Sequence, residues 1–387
     1  MLTRLLDFVA HVTYWCAGMY WPGPGFSRTC WDCVTYANNA GPGASRQFGV
    51  VSRDLDGPES ADGVPVRVYE QLDPAVLGDA RPVLLWLHGG GFCIGDRSLR
   101  QMDELCMRFA ALGMSVVSVS YALAPEHPFP AATRDCYRVL RWLHSPASFA
   151  ALPPSRCDRS RFVLAGDSAG GNLACALAAL NRDGLDADLR PETGARVHVA
   201  YLLLLYPALF MQGSARLLRS PSGDAGAAAH ARAPHDEDLR RDARTPFIPQ
   251  PVRRWFTESY VPGGRRRLRR LMATDQRLTP LLFGAGGLPP TTLVAAGLDV
   301  LRHENAAAAA AMRAAGSPCV FRSYEDVPHG FVTFSFLDEA HACFADIARD
   351  LTRVGVLARD ERGGDAVPDG RESSWSDARP SYRRLPW

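Results

Sequence analysis

A serine, an aspartate and a histidine stand in an order that supports covalent acyl chemistry: Ser168, Asp299 and His329. A serine hydroxyl is a weak nucleophile and needs a base to take its proton. An imidazole serves as that base when a carboxylate fixes its tautomer and stabilises its protonated form. Ser168 lies in Gly166-Asp167-Ser168-Ala169-Gly170, a G-x-S-x-G pentapeptide. Such a pentapeptide becomes a nucleophile elbow when a strand precedes it and a helix follows. The turn is then too sharp for side chains at Gly166 and Gly170, and Asp167 completes the frame around the serine. Both flanks have the right character. Phe162 to Ala165 is an apolar run of the kind found in buried parallel strands, and Asn172 to Leu180 is rich in Ala and Leu without Pro or Gly. The Ala169 N–H falls at the helix start, where a developing oxyanion is stabilised.

Nucleophile, then acid, then histidine is one of the chain orders in which this constellation recurs. Asp299 follows the apolar run Thr291 to Ala296, and His329 follows the run Cys319 to Tyr324. If both runs are parallel strands, both residues reach the same carboxyl edge of the sheet as Ser168, where α/β folds build their sites. The alternatives are a helix cap for Asp299 and an ordinary loop histidine for His329. His303 competes as the base but stands only four residues after Asp299, while His198, His230 and His235 precede the acid. Glu325 and Asp326 compete as the acid but crowd His329 in sequence.

An oxyanion also needs backbone N–H groups converging on it. His88-Gly89-Gly90-Gly91, directly after the apolar run Val83 to Leu87, supplies them, since glycines let the backbone approach a substrate closely. A glycine loop of this kind can instead cradle phosphate. A P-loop requires a lysine, however, and the chain contains none, so every basic residue is an arginine. His88 reads as a structural residue that orients the loop.

The 387 residues carry a formal charge of +2, which gives no reason to expect a nucleic-acid partner. Ten cysteines in a chain of this length do not form a disulfide framework. Cys30-x-x-Cys33 lacks the further ligands of a zinc site, so no metal is expected, and a reducing cytoplasmic setting fits the thiols. Residues 5–21 are apolar on average but interrupted by Asp7 and His11, which leaves two readings: a cap helix, or a degraded membrane anchor.

Eight apolar runs, including Phe48 to Arg53, Val64 to Gln71, Ser115 to Tyr121 and Tyr201 to Leu205, alternate with helical stretches. That pattern predicts an α/β fold with a mostly parallel eight-stranded sheet flanked by helices. Residues 1–45 read as N-terminal cap helices, 46–356 as the catalytic domain and 357–387 as a disordered tail. Residues 210–272 interrupt the alternation as a cap insertion, mobile over Ser214 to Arg244, with a lid helix expected at Val252 to Val261 around Trp255 and Phe256.

His88 to Phe92, Tyr121 to Ala131, Gly166 to Ala174, Gly297 to Arg302 and His329-Gly330-Phe331 together resemble the hormone-sensitive-lipase family of α/β-hydrolases. The arylacetamide deacetylase-like branch is similar too, and the resemblance runs from about 48 to 355. It implies a cofactor-free carboxylesterase acting on a small-molecule ester, with Ser168, Asp299 and His329 as triad. Gly89, Gly90 and Ala169 would be the oxyanion donors, with Gly91 shaping the loop. The family usually carries Arg where Ala122 stands, which predicts a lost ion pair or hydrogen bond. An amidase or deacetylase using the same triad, a lipid hydrolase anchored by residues 5–21, and a non-catalytic receptor of this fold remain open, as does the oligomeric state.

Overall fold

The structure, a computed structural model, describes residues 48–358 apart from 58–60, 73–79, 193, 212–247, 249 and 336. The expected N-terminal cap helices, the Cys30/Cys33 pair, the stretch 214–244 and the tail beyond 358 lie outside the described residues.

Eight strands form one sheet: β1 (Val50–Leu55), β2 (Val66–Gln71), β3 (Arg81–Leu87), β4 (Ser115–Val119), β5 (Cys157–Asp167), β6 (Tyr201–Leu205), β7 (Thr291–Ala296) and β8 (Cys319–Tyr324). Their spatial order is β1-β2-β4-β3-β5-β6-β7-β8. The β1–β2 and β2–β4 pairs are antiparallel, and every pairing from β4 to β8 is parallel. Continuous apolar runs make the parallel strands because both faces of the sheet are covered. In β3, Val83, Leu85 and Leu87 enter one core, while Leu84 and Trp86 enter the other.

The first core is roofed by α2 (Ala131–Leu143), α3 (Ala169–Asp183) and α6 (Arg302–Ala314), and the second by α1 (Arg100–Ala111) and α7 (Asp338–Arg353). Two further helices, α4 (Gln250–Tyr260) and α5 (Gly264–Thr274), interrupt the alternation between β6 and β7. The first falls on the stretch where a helix was expected, at Val252 to Val261. The second was not anticipated, because its only buried residues are Leu268 and Met272, too few for a visible apolar period amid its arginines.

Register fixes the edge on which the loops emerge. Leu87 pairs with Gly166, Asp167 with Leu205, and Ala296 with Tyr324. The segments leaving β3, β5, β7 and β8 therefore open side by side.

Candidate active site

Ser168 is the first residue after β5 and the N-cap of α3, with φ 52° and ψ −117°. A non-glycine residue tolerates this backbone only when its surroundings over-determine it. Here they do: the Ser168 N–H donates to the Leu205 carbonyl at 2.9 Å, and the Ser168 carbonyl accepts from Ala208 at 2.9 Å and Asn172 at 3.2 Å. The elbow is also wedged against β3. A Cβ on Gly166 would lie 2.4 Å from the Gly170 carbonyl oxygen, and one on Gly170 would lie 1.9 Å from that of Leu87. Any side chain at either position would push the elbow away from the strand end.

The acid and the histidine meet because their two loops are clasped. The Gly297 N–H donates to Tyr324 at 2.7 Å and the Leu298 N–H to Val327 at 3.0 Å. Asp299 Oδ2 then lies 2.7 Å from His329 Nδ1, and Asp299 Oδ1 accepts the Leu301 N–H at 3.0 Å. The Asp299 carboxylate is fully buried, whereas the His329 side chain is 10% exposed. With Nδ1–H donating to the carboxylate, His329 Nε2 is left as the basic nitrogen. Of the rival groups, Glu325 accepts from Ser323 Oγ at 2.7 Å, His198 is exposed ahead of β6, and His303 stands in the first turn of α6. His230 and His235 lie outside the described residues.

Tyr206 joins these parts and was not singled out by the sequence. It directly follows β6, carries φ 36°, and its ring centre is 4.8 Å from that of His329. Its phenol lies buried, and burial pushes its pKa well above the ordinary value. The one sequence signal was its place at a strand's carboxyl end, immediately before Pro207.

The glycine loop requires a correction. The Gly89 N–H donates to Asp167 Oδ1 at 2.7 Å, so it is turned toward a buried carboxyl group and away from any oxyanion. Gly90 and Gly91, both half-buried, keep N–H groups that bond to nothing among the described residues. Gly91, expected from the resemblance only to shape the loop, thus shares with Gly90 the unbonded N–H that Gly89 lacks. Burial raises the Asp167 pKa to about 7, despite the opposing pull of the Gly89 N–H and of the nearby His329. His88 is structural in its contacts: it is fully buried, stacks on Tyr121 at 4.2 Å and bonds through Nδ1 to the Gly89 carbonyl at 2.7 Å. Burial lowers its pKa to about 4, so it is neutral at pH 7.

At the position where the family resemblance leads one to expect an arginine, the Ala122 N–H donates to Asp135 Oδ2 at 2.9 Å. Arg138, one turn along α2, supplies the charge instead at 3.1 Å from Asp135 Oδ1. Above the loop, the Phe256 ring of α4 rests on Gly91, and the Tyr260 ring stacks on Phe92 at 3.9 Å. Arg253 ties the same helix to Glu304 at 2.5 Å and to the Phe210 carbonyl at 2.9 Å. No group of three or more His, Cys, Asp or Glu among the described residues is placed to hold a metal.

This fold and this edge define an α/β-hydrolase. A model of the alpha/beta hydrolase fold family matches residues 84–333, and the chain belongs to that family. The chain is 33% identical to the carboxylic ester hydrolase LipN of Mycobacterium tuberculosis (strain ATCC 25618 / H37Rv) over 290 residues, 74% of this chain and 65% of LipN. The match thus spans just under two thirds of that relative. Carboxylesterase NlhH of the same organism is 32% identical over 72% of this chain and 74% of its own. Among solved structures, a hyperthermophilic esterase from the archaeon Pyrobaculum calidifontis superposes with a TM-score of 0.64 at 27% identity, covering 86% of this chain and 92% of that one.

Proposed function

We propose that this protein is a serine carboxylesterase that hydrolyses esters of small to medium acyl chains through an acyl-enzyme. The observation that carries the reading is the 2.7 Å contact between His329 Nδ1 and the buried Asp299 carboxylate, on the sheet edge where Ser168 caps its helix. Ser168 Oγ attacks the ester carbonyl as His329 Nε2 takes its proton. Asp299 holds the imidazole and stabilises the imidazolium. The N–H groups of Gly90, Gly91 and Ala169 receive the oxyanion, a contribution of about 3–4 kcal/mol per donor in comparable sites. His329 then protonates the leaving alcohol, and water repeats the sequence on the acyl-enzyme.

The catalytic domain in this reading is 46–356, with α4 and α5 forming the described part of its cap. No helix among the described residues is long and apolar enough to cross a membrane. The seven described cysteines are free thiols, and a reducing cytoplasmic setting is the one we favour.

The test is hydrolysis of p-nitrophenyl esters from acetyl to long acyl chains by the parent and by Ser168→Ala. The expected result is turnover that peaks at short chains and vanishes in the variant. Turnover of N-acyl amides with none on esters would replace this reading with an amidase. No turnover on either, from folded protein, would overturn it.

A further inference from the structure

The helix α5 carries an arginine face that finds no counter-charge among the described residues. Arg265, Arg266, Arg267, Arg269 and Arg270 are all exposed, and the helix has no acidic residue in its first turn. Leu268 and Met272 bury the opposite edge in the main core, with Leu271 packed beside them. The seat is narrow and apolar; the outward face from Arg265 to Arg270 is cationic.

Two local effects oppose this arrangement. Arg265 to Arg267 stand in the first turn, at the positive end of the helix dipole, where cations are unfavourable. Arg265 with Arg269, and Arg266 with Arg270, are like-charge pairs one turn apart, which destabilise a helix. Arginines nearby behave otherwise: Arg277 pairs with Asp275 at 2.6 Å, and Arg254 with Glu258 at 2.7 Å. No carboxylate among the described residues pairs with any of the five, and Arg267 donates to the Pro262 carbonyl at 2.7 Å. The chain as a whole carries only +2, so these charges are concentrated locally.

Both ends of α5 are tied to the candidate active site. Its amino end follows α4, whose Phe256 rests on Gly91. At its carboxyl end, Met272 accepts from Thr279 Oγ1 at 2.8 Å, and the adjoining Leu278 carbonyl accepts from Asn172 of the nucleophile helix at 3.1 Å.

We propose that α5 is a docking face that seats the cap on an anionic lipid surface. Five guanidinium groups spread along about 8 Å of the helix axis and over about 200° of its circumference do not converge on a small anion. They match the laterally mobile phosphates of a bilayer, which guanidinium groups bind in bidentate fashion. The choice of a lipid surface rests on the carboxylesterase reading, since apolar esters partition into bilayers.

The test is flotation of the full-length protein with vesicles of phosphatidylcholine, alone or with phosphatidylglycerol, at low and high salt. The expected result is binding to the anionic vesicles only, lost at high salt as surface electrostatics are screened. The variant Arg265→Gln/Arg266→Gln/Arg269→Gln/Arg270→Gln should bind at least about tenfold more weakly. Its hydrolysis of soluble p-nitrophenyl acetate should be unchanged, which verifies folding. If that hydrolysis falls, the milder pair Arg269→Gln/Arg270→Gln carries the same comparison. Absence of vesicle binding, binding that the substitutions leave intact, or binding to duplex DNA instead of vesicles would each overturn the proposal. Vesicle binding without ester hydrolysis would overturn the esterase reading and leave the docking face standing.

Discussion

The carboxyl group of Asp167 holds the Gly89 N–H 2.7 Å from its Oδ1, 78 residues away in the chain. The residue beside the nucleophile thereby fixes the loop whose next two glycines, Gly90 and Gly91, keep N–H groups unbonded among the described residues. Removing the acceptor in Asp167→Ala leaves a buried N–H unpaired and frees the loop to shift. We expect kcat to fall by about a hundredfold, the loss typical of one displaced oxyanion donor, with KM little changed. Asp167→Asn keeps an oxygen at the same place and should recover most of the activity. Steady-state hydrolysis of p-nitrophenyl acetate by the two variants checks this.

The same carboxyl group makes stability depend on pH. Burial raises its folded pKa to about 7, against an ordinary value of 3.8. Below about pH 4 it is protonated in the folded and unfolded chains alike. As pH rises from 4 to 7 the unfolded chain releases the proton first, so stability is lost across that window. Asp167→Asn has no carboxyl group to titrate. The variant should gain on the parent as pH rises, by at most about 4 kcal/mol above pH 7, and show no advantage at pH 4. Urea unfolding at the two pH values measures the difference.

Much of this frame was legible in the sequence, for physical reasons. Tyr201–Leu205 and Thr291–Ala296 begin and end where the apolar runs do, because parallel strands covered on both faces tolerate few polar residues, and the half-buried edge strand Cys319–Tyr324 keeps its expected bounds as well. The place of Ser168 between strand and helix, and the approach of Asp299 to His329, were legible by order and by the strands before them. Gly89 was not read correctly. Which glycine of the loop keeps a free N–H depends on a carboxylate from another strand, and local spacing does not encode that. The exchange at Ala122, where Arg138 supplies charge to Asp135, is likewise a matter of one helical turn in space. Helix α5 escaped notice because two buried side chains among arginines make no readable period.

Gly91 and Phe256 should behave as one unit. A Cβ on Gly91 would lie 2.3 Å from Phe256 Cγ, and the backbone there has φ 59°. Gly91→Ala must therefore move the loop or the α4 ring, and we expect at least about a hundredfold loss of kcat. Combining it with Phe256→Ala opens the space and should restore part of the activity. The restoration stays incomplete because alanine in a left-handed conformation costs about 1–2 kcal/mol. A double-mutant cycle on kcat/KM should give a coupling of about 1–3 kcal/mol. Additive losses would show that the ring and the loop move independently.

At the opposite edge of the sheet, Asp350 sets a test of stability alone. Its carboxylate is buried beneath the amino ends of β6 and β7. Thr292 Oγ1 donates to it at 2.8 Å, Arg322 donates through both Nε and Nη2 at 2.8 and 2.7 Å, and Arg353 donates at 2.9 Å. Burial raises its pKa, but the Arg322 and Thr292 hydrogen bonds outweigh that and hold it below the ordinary value, so it is ionised at neutral pH. Deleting it in Asp350→Ala leaves the Arg322 guanidinium without its main counter-charge, and breaking such a buried pair costs about 3–5 kcal/mol. Removing both partners in Asp350→Leu/Arg322→Met should cost less than Asp350→Ala, because Arg322 leaves with its main partner, while the exposed Arg353 stays solvated and Asp346 keeps Arg349. Thr292 and Tyr201 lie at the strand ends remote from Ser168, so kcat and KM of either folded variant should match the parent at 25 °C. Urea midpoints with parallel ester assays separate the two effects, and a change in kcat without a change in midpoint would show that this network reaches the active site.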